Sequence, residues 1–373
     1  MSFDTTKRDA QATEIIPVKP ESFDFDAYAD YEKDLLTRTS GFWQKKSGVA
    51  VYRRVRAAEV FADGSKDMKR SLELQLGCLQ KSMLYKADIP NFLEPWYGIG
   101  ACSAAYGAEY VWNEGQAPAV QPIFLTVDEA LQYNPVPIAK TSIGVHTLEM
   151  IDYFLDKTKG RLPMCFSDVQ SPLNASTMIV DNTSMFMDIL MNPDGVKQFL
   201  DTLAELTIDF FKIQQEMIGD CLANPGHGFA SARNFEGYGQ SDDNVVMLSN
   251  EQYIKCALPS FERIGQQFGG PVFHSCGNWS DKIPAIKTIK GLKMVDGAFS
   301  SQTDPDPNPS AEFADSFSDS GIVVNARIVG NLDVIEKTIR RLWKPGMKLI
   351  AVTYCETPEE QAEAYDLIHE ICK

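Results

Sequence analysis

The chain is short of several things that would assign it to a class. It has no run of about 18 apolar residues, so no membrane span is expected. Residues 1–19 are polar and carry no apolar core of the secretory-signal kind, so a cytoplasmic protein is the expectation. Positive charge is scarce: 35 Lys and Arg stand against 51 Asp and Glu, a formal net charge of −16. Binding to nucleic acid or to an anionic membrane surface needs a basic footprint and is not expected. Neither GxGxxG nor GxxxxGK[ST] follows a strand-like run, which argues against dinucleotide and nucleotide sites. Histidine is rare, at four residues (146, 227, 274 and 369), so a histidine-based metal site has few candidates.

What is present is an ordinary globular composition, 44% hydrophobic and 23% charged, in 373 residues. Chains of this length bury roughly three quarters of their unfolded surface and need no disulfides. The eight cysteines are therefore read as thiols or metal ligands. Residues 1–65 read as an N-terminal extension, partly helical, with 26–40 and Arg53, Arg54 and Arg56 as solvated surface. The spacing predicts a helix over 68–85, and the first strand-like run is 91–97. From residue 162 onward strands and helices alternate. Strands are expected at 162–168, 271–276, 292–299, 322–328 and 348–354, and helices at 193–218, 250–268, 279–289, 310–318, 333–342 and 358–372. Such alternation implies right-handed βαβ units and a parallel sheet. The expected fold is an α/β (β/α)8 TIM barrel over residues 66–373 with an N-terminal helical extension, an open doubly wound sheet being the alternative.

Barrel active sites form at the C-terminal ends of the strands. Those ends offer Asp168, then His274-Ser275-Cys276, then Gln302, then Arg327, then Cys355. His274 and Cys276 are two apart on a strand, so both side chains point to the same side. Imidazole and thiolate together suit Zn2+, and Cys355 at another strand end would complete a three-ligand site with an open position. The same residues are also compatible with a hydrogen-bonded core histidine and two isolated thiols. Glu94 is either a fourth ligand, a substrate contact or a surface carboxylate. His227 lies in a Pro225-Gly226-His227-Gly228 loop expected near the barrel mouth. Arg233 and Arg327 are either grips for a substrate carboxylate or members of surface ion pairs. Tyr354 is expected to point away from the barrel axis, and the other six cysteines are read as inert.

The run Asp242-Asp243-Asn244-Val245-Val246-Met247-Leu248-Ser249, then Leu258-Pro259, then Pro271-Val272-Phe273-His274-Ser275-Cys276-Gly277-Asn278, resembles the uroporphyrinogen decarboxylase superfamily. Gln170-Ser171-Pro172-Leu173 and Asn192-Pro193 resemble further elements of it. The resemblance extends over about residues 65–373 and is densest over 242–278. The decarboxylases of that superfamily grip their substrate's carboxylates with an arginine-rich loop near the first strand, and residues 88–116 contain no arginine. The corrinoid-dependent methyltransferase branch instead binds zinc through H-x-C and a distant cysteine, a pattern that His274, Cys276 and Cys355 match. The resemblance therefore implies a zinc-dependent methyltransferase, moving a methyl group between a corrinoid (cobalamin) carrier and a thiol or small methylated substrate. Methylcobalamin or a separate corrinoid protein would be the carrier, since no DxHxxG pattern is present. In that branch a carboxylate after the next strand is a further ligand; here Gln302 stands there. Asp242 and Asp243 match the superfamily's acidic pair and, with His227, Asp168 and Arg327, are candidate substrate contacts. The alternative is a metal-free decarboxylase of a carboxylated tetrapyrrole or another acid.

Overall fold

The structure is a computed structural model that describes residues 10–373. Six parallel strands form one sheet: β1 (Gly48–Arg53), β2 (Tyr238–Ser241), β3 (Pro271–His274), β4 (Met294–Ala298), β5 (Val323–Ile328) and β6 (Lys348–Thr353), in the order β1-β6-β5-β4-β3-β2. The remaining arc is made of shorter pieces. Leu93 bridges Met164, and Met164 bridges Leu222, both in parallel. The Asp88 amide donates to the Val51 carbonyl, and the Gly239 amide to that of Pro225. These links carry the sheet from β2 back to β1, and the result is a TIM-barrel-like α/β fold preceded by the helix Phe25–Gln44.

The first strand is not where the apolar pattern put it. Residues 91–97 contribute only the bridge at Leu93, because Pro90 precedes the run, Pro95 interrupts it, and a proline has no N–H to extend a ladder. The full strand is β1, inside the segment read as an extension, and it pairs with β6 along its whole length. Arg53 and Arg54 are accordingly buried rather than solvated.

Side chains alternate between two faces. Ala50, Tyr52, Val272, Met294, Val323, Ile350 and Val352 form one cluster inside the barrel, and Phe42 of the N-terminal helix packs into it. Val51, Val324, Ala326, Ile328, Leu349 and Ala351 face the helices. This alternation continues past β6. Tyr354 joins the interior cluster, against expectation, while Cys355 joins the helix-facing one.

Two of the helices carry side-chain caps at their starts. Asn192 caps Pro193–Ile218 by accepting the Gly195 N–H, and Ser249 and Gln252 form a capping box. The helix expected over 250–268 is interrupted by a π turn at Tyr253–Ala257. Pro259 lacks the N–H for an ordinary helical bond there and its ring crowds the preceding turn. Among the described residues no helix is long and apolar enough to cross a membrane.

Residues 11–18 run as a strap over the helix Met68–Ser82. The Thr13 amide donates to Arg56 O, Val18 to Glu73 O, and Lys81 Nζ to Glu14 O. Gly77 makes the close approach possible, for a Cβ there would lie 2.2 Å from the Ile16 carbonyl oxygen. Gly77→Ala is thus expected to lower stability by about 1–3 kcal/mol through overpacking, despite alanine's better helix propensity. Limited proteolysis within 11–18 should accelerate in parallel; an unchanged strap with a raised melting temperature would refute this.

Candidate metal centre

The centre is assembled by strand register. His274 ends β3; its neighbour on β4 is Asp296, whose neighbour on β5 is Asn325. Equal spacing of parallel strands puts these three side chains in a row inside the barrel. His274 Nδ1 lies 2.6 Å from Asp296 Oδ2. Asp296 in turn accepts Arg327 Nε at 2.9 Å and Asn325 Nδ2 at 2.5 Å. It is fully buried; desolvation opposes its charge, yet Arg327 and His274 together hold its carboxyl below the usual range.

The carboxylate fixes the imidazole so that Nε2 faces the mouth. There Cys276 Sγ lies 3.4 Å away and Asp243 Oδ1 3.7 Å away. Asp243, in the loop after β2, is held by the Cys276 amide at 2.6 Å and by Asn174 Nδ2 at 3.1 Å. The ligand atoms of Asp243, His274 and Cys276 all lie within 4.8 Å of one another, and among the described residues they are the one such group. Nitrogen, sulfur and oxygen donors converging from one side, with a carboxylate behind the imidazole, fit a zinc ion that keeps an open position. Burial alone would lower the His274 pKa, but Cys276 and then Asp296 outweigh it and raise it to about 10. A cation bound there would take the place of any proton on Nε2.

Asp242 does a different job from its neighbour. It is buried, accepts Ser171 Oγ and Tyr253 OH at 2.7 Å each, and sends its amide to the His274 carbonyl. Burial raises its pKa to about 6. It braces the loop from which Asp243 projects.

A second polar group lies across the mouth. His227 Nδ1 is 2.6 Å from Glu94 Oε2, and its Nε2 is 3.6 Å from Asp168 Oδ2. Arg54 Nη2 pairs with Glu94 at 3.2 Å, and Trp96 Nε1 donates to Asp168 at 3.1 Å. Desolvation works against the Glu94 charge, but Arg54 and His227 overcome it and lower its pKa to about 2. Gln170 and Asn174 join the two groups, from Asp168 through Gln170 (3.5 Å) and Asn174 (2.8 Å) to Asp243.

The structure thus brings together His274, Cys276 and Asp243, and separately Glu94, His227 and Asp168. It does not bring Cys355 to His274. Cys355 faces the helices, its carbonyl accepts Arg53 Nε at 2.9 Å, and burial pushes its thiol up to about 11 although Arg53 pulls the other way. Cys355 and Gln302 line a cleft of about 610 Å3 with Arg53, Tyr354 and Thr13 of the strap. Arg327 is bound to Asp296, and Arg233 pairs with Glu32 at 2.8 Å. Arg54, Asp296, Asn325, Gln170 and Asn174 were missed from sequence. For Asp296 and Asn325 the signal was a polar residue at an inward position of an apolar strand.

A family model described as Uroporphyrinogen decarboxylase (URO-D) matches residues 44–344. No curated protein matches the chain. Among solved structures, a methyltransferase from Methanosarcina mazei superposes with a TM-score of 0.62, at 15% identity over 90% of this chain and 98% of that one. At that identity the likeness is one of fold.

Proposed function

Since the chain belongs to the uroporphyrinogen decarboxylase (URO-D) family, we propose that it is a zinc-dependent methyltransferase acting with a corrinoid (cobalamin) carrier on a thiol or small methylated substrate. The observation that carries this is the donor set of Asp243, His274 and Cys276, with Asp296 fixing the imidazole from behind. Zinc held there would supply Lewis-acid activation of a sulfur or other methyl-bearing atom. The chain's own residues do the rest. Asp296 keeps the His274 Nδ1 proton and aims Nε2 outward. Asp243 is locked by Asn174 and the Cys276 amide. Glu94, His227 and Asp168 present a hydrogen-bonding wall on the far side of the mouth, suited to orienting a polar small molecule. The carrier would be methylcobalamin or a separate corrinoid protein. The setting would be the cytoplasm.

The test is zinc per chain by elemental mass spectrometry, on protein purified without chelator or affinity metal, followed by methyl transfer from methylcobalamin to a panel of thiols. About one zinc per chain is expected, with transfer abolished by chelation and restored by zinc. No metal uptake after reconstitution would overturn the reading.

One observation favours a second reading, decarboxylation of a carboxylated tetrapyrrole or another acid. The first strand is β1, not 91–97, so the lack of arginine over 88–116 carries no weight; Arg54 directly follows β1 and is buried at the mouth. Turnover of such an acid in the presence of chelator would favour that reading.

A further inference from the structure

We propose that Asn325 is a positioning residue that couples the metal centre to the loop carrying His227, so that metal uptake and ordering of the loop reinforce each other. The inference rests on the reading that the centre holds a metal. Asn325 is wholly buried in the barrel interior, where the neighbouring inward side chains Val323, Met294 and Ile350 are apolar. A buried amide persists there only if both its ends are used. They are: Nδ2 donates to Asp296 Oδ1 at 2.5 Å, and Oδ1 accepts the Ala230 N–H at 3.2 Å. A carboxylate only accepts and an amide N–H only donates, so the side chain has one satisfied orientation and ties Asp296 directly to the Ala230 loop.

The Ala230 end belongs to a short loop closed by the antiparallel bridge between Asn224 and Ala232. That loop sends His227 to Glu94 and sets the Phe229 ring edge-on to the His274 ring, centroids 6.1 Å apart. Gly239 on β2 makes room for Phe229, since a Cβ there would meet the ring at 2.3 Å. A cation on Nε2 polarises the His274 ring and strengthens its hold on Asp296, and hydrogen-bonded chains pass such polarisation along. What stabilises one end must stabilise the other, because coupling between binding equilibria is reciprocal.

The experiment is a Co2+ titration followed by visible absorption, with limited proteolysis of residues 224–235 with and without Co2+. It uses the parent, Asn325→Leu and Gly239→Ala. Asn325→Leu keeps the branched shape and heavy-atom count and removes both hydrogen bonds; Gly239→Ala displaces Phe229 and alters no ligand. In the parent, Co2+ should slow loop cleavage. Asn325→Leu should bind Co2+ about 10–100-fold more weakly, with an altered Co2+ spectrum and cleavage indifferent to metal. Gly239→Ala should weaken Co2+ by about 5-fold or more. If Gly239→Ala binds like the parent and parent cleavage ignores Co2+, the coupling is overturned, even should Asn325→Leu bind weakly or fail to fold. A parent that takes up neither Co2+ nor Zn2+ overturns the metal reading, and the coupling with it.

Discussion

Cys276→Ser is expected to cost about 100-fold or more in zinc affinity and to abolish methyl transfer, whereas Cys355→Ser should retain about one zinc per chain. The two cysteines were equivalent by sequence, each at the end of a barrel strand, but they face opposite ways. Cys276 Sγ is exposed at the mouth, 3.4 Å from His274 Nε2 and in the same three-residue group as Asp243. Removing a direct thiolate ligand should exceed the 10–100-fold effect typical of an outer hydrogen-bond partner, since a serine hydroxyl does not ionise at neutral pH. The Cys355 thiol is buried on the helix side, and its pKa of about 11 makes the thiolate a minor species there. Its replacement should cost only about 1–2 kcal/mol of stability, as for a small buried group. Elemental analysis of both variants decides the matter. Zinc lost from both would mean that the turn after β6 reverses its facing on metal uptake and that Cys355 is the third ligand after all.

Glu94→Gln should destabilise the fold by roughly 3–5 kcal/mol at pH 7, because it strands the Arg54 guanidinium. Arg54 is 2% exposed; Glu94 is the acid it pairs with, and the Arg54 Nε has no hydrogen-bond partner among the described residues. The pair also sets an acid limb. The Glu94 pKa is lowered in the fold from its ordinary 4.5 to about 2. The stability it contributes is therefore fully present above the ordinary value and is lost as pH falls towards 2, a change on the order of 3 kcal/mol. Urea unfolding at pH 7 and pH 3 should show the parent losing more than Glu94→Gln over that interval. The double variant Glu94→Gln with Arg54→Met should recover most of the loss, since it removes the stranded charge as well. A single variant within 1 kcal/mol of the parent would refute the assignment of Glu94 as counter-ion.

Much of this protein was legible one element at a time. The alternation of 3.6-residue and two-residue periods specified a parallel α/β sheet, with a closed barrel expected and an open sheet as the alternative, and β3 to β6 fall inside the runs expected for them. The i, i+2 spacing of His274 and Cys276 placed both at one strand end. Asp243 was also marked, by the acidic pair, though as a substrate contact. Local patterning failed at β1, where the full strand Gly48–Arg53 was read as part of an extension and the proline-interrupted 91–97 as the first strand. It failed again after β6, where the expected facing of Tyr354 and Cys355 was reversed. An error of one residue in a strand's phase sends every side chain to the other face.

What the sequence determined by itself was therefore the set of contacts that follow from spacing along one strand or helix, because side-chain direction there depends only on backbone period. What only the tertiary structure decided was the set that follows from register between strands. His274, Asp296 and Asn325 are separated by 22 and then 29 residues and become neighbours only because β3, β4 and β5 align. Glu94 meets His227 across 133 residues through the closure of the barrel. Register is set by the packing of the whole barrel and its helices, a sum over many weak contacts that no short segment contains.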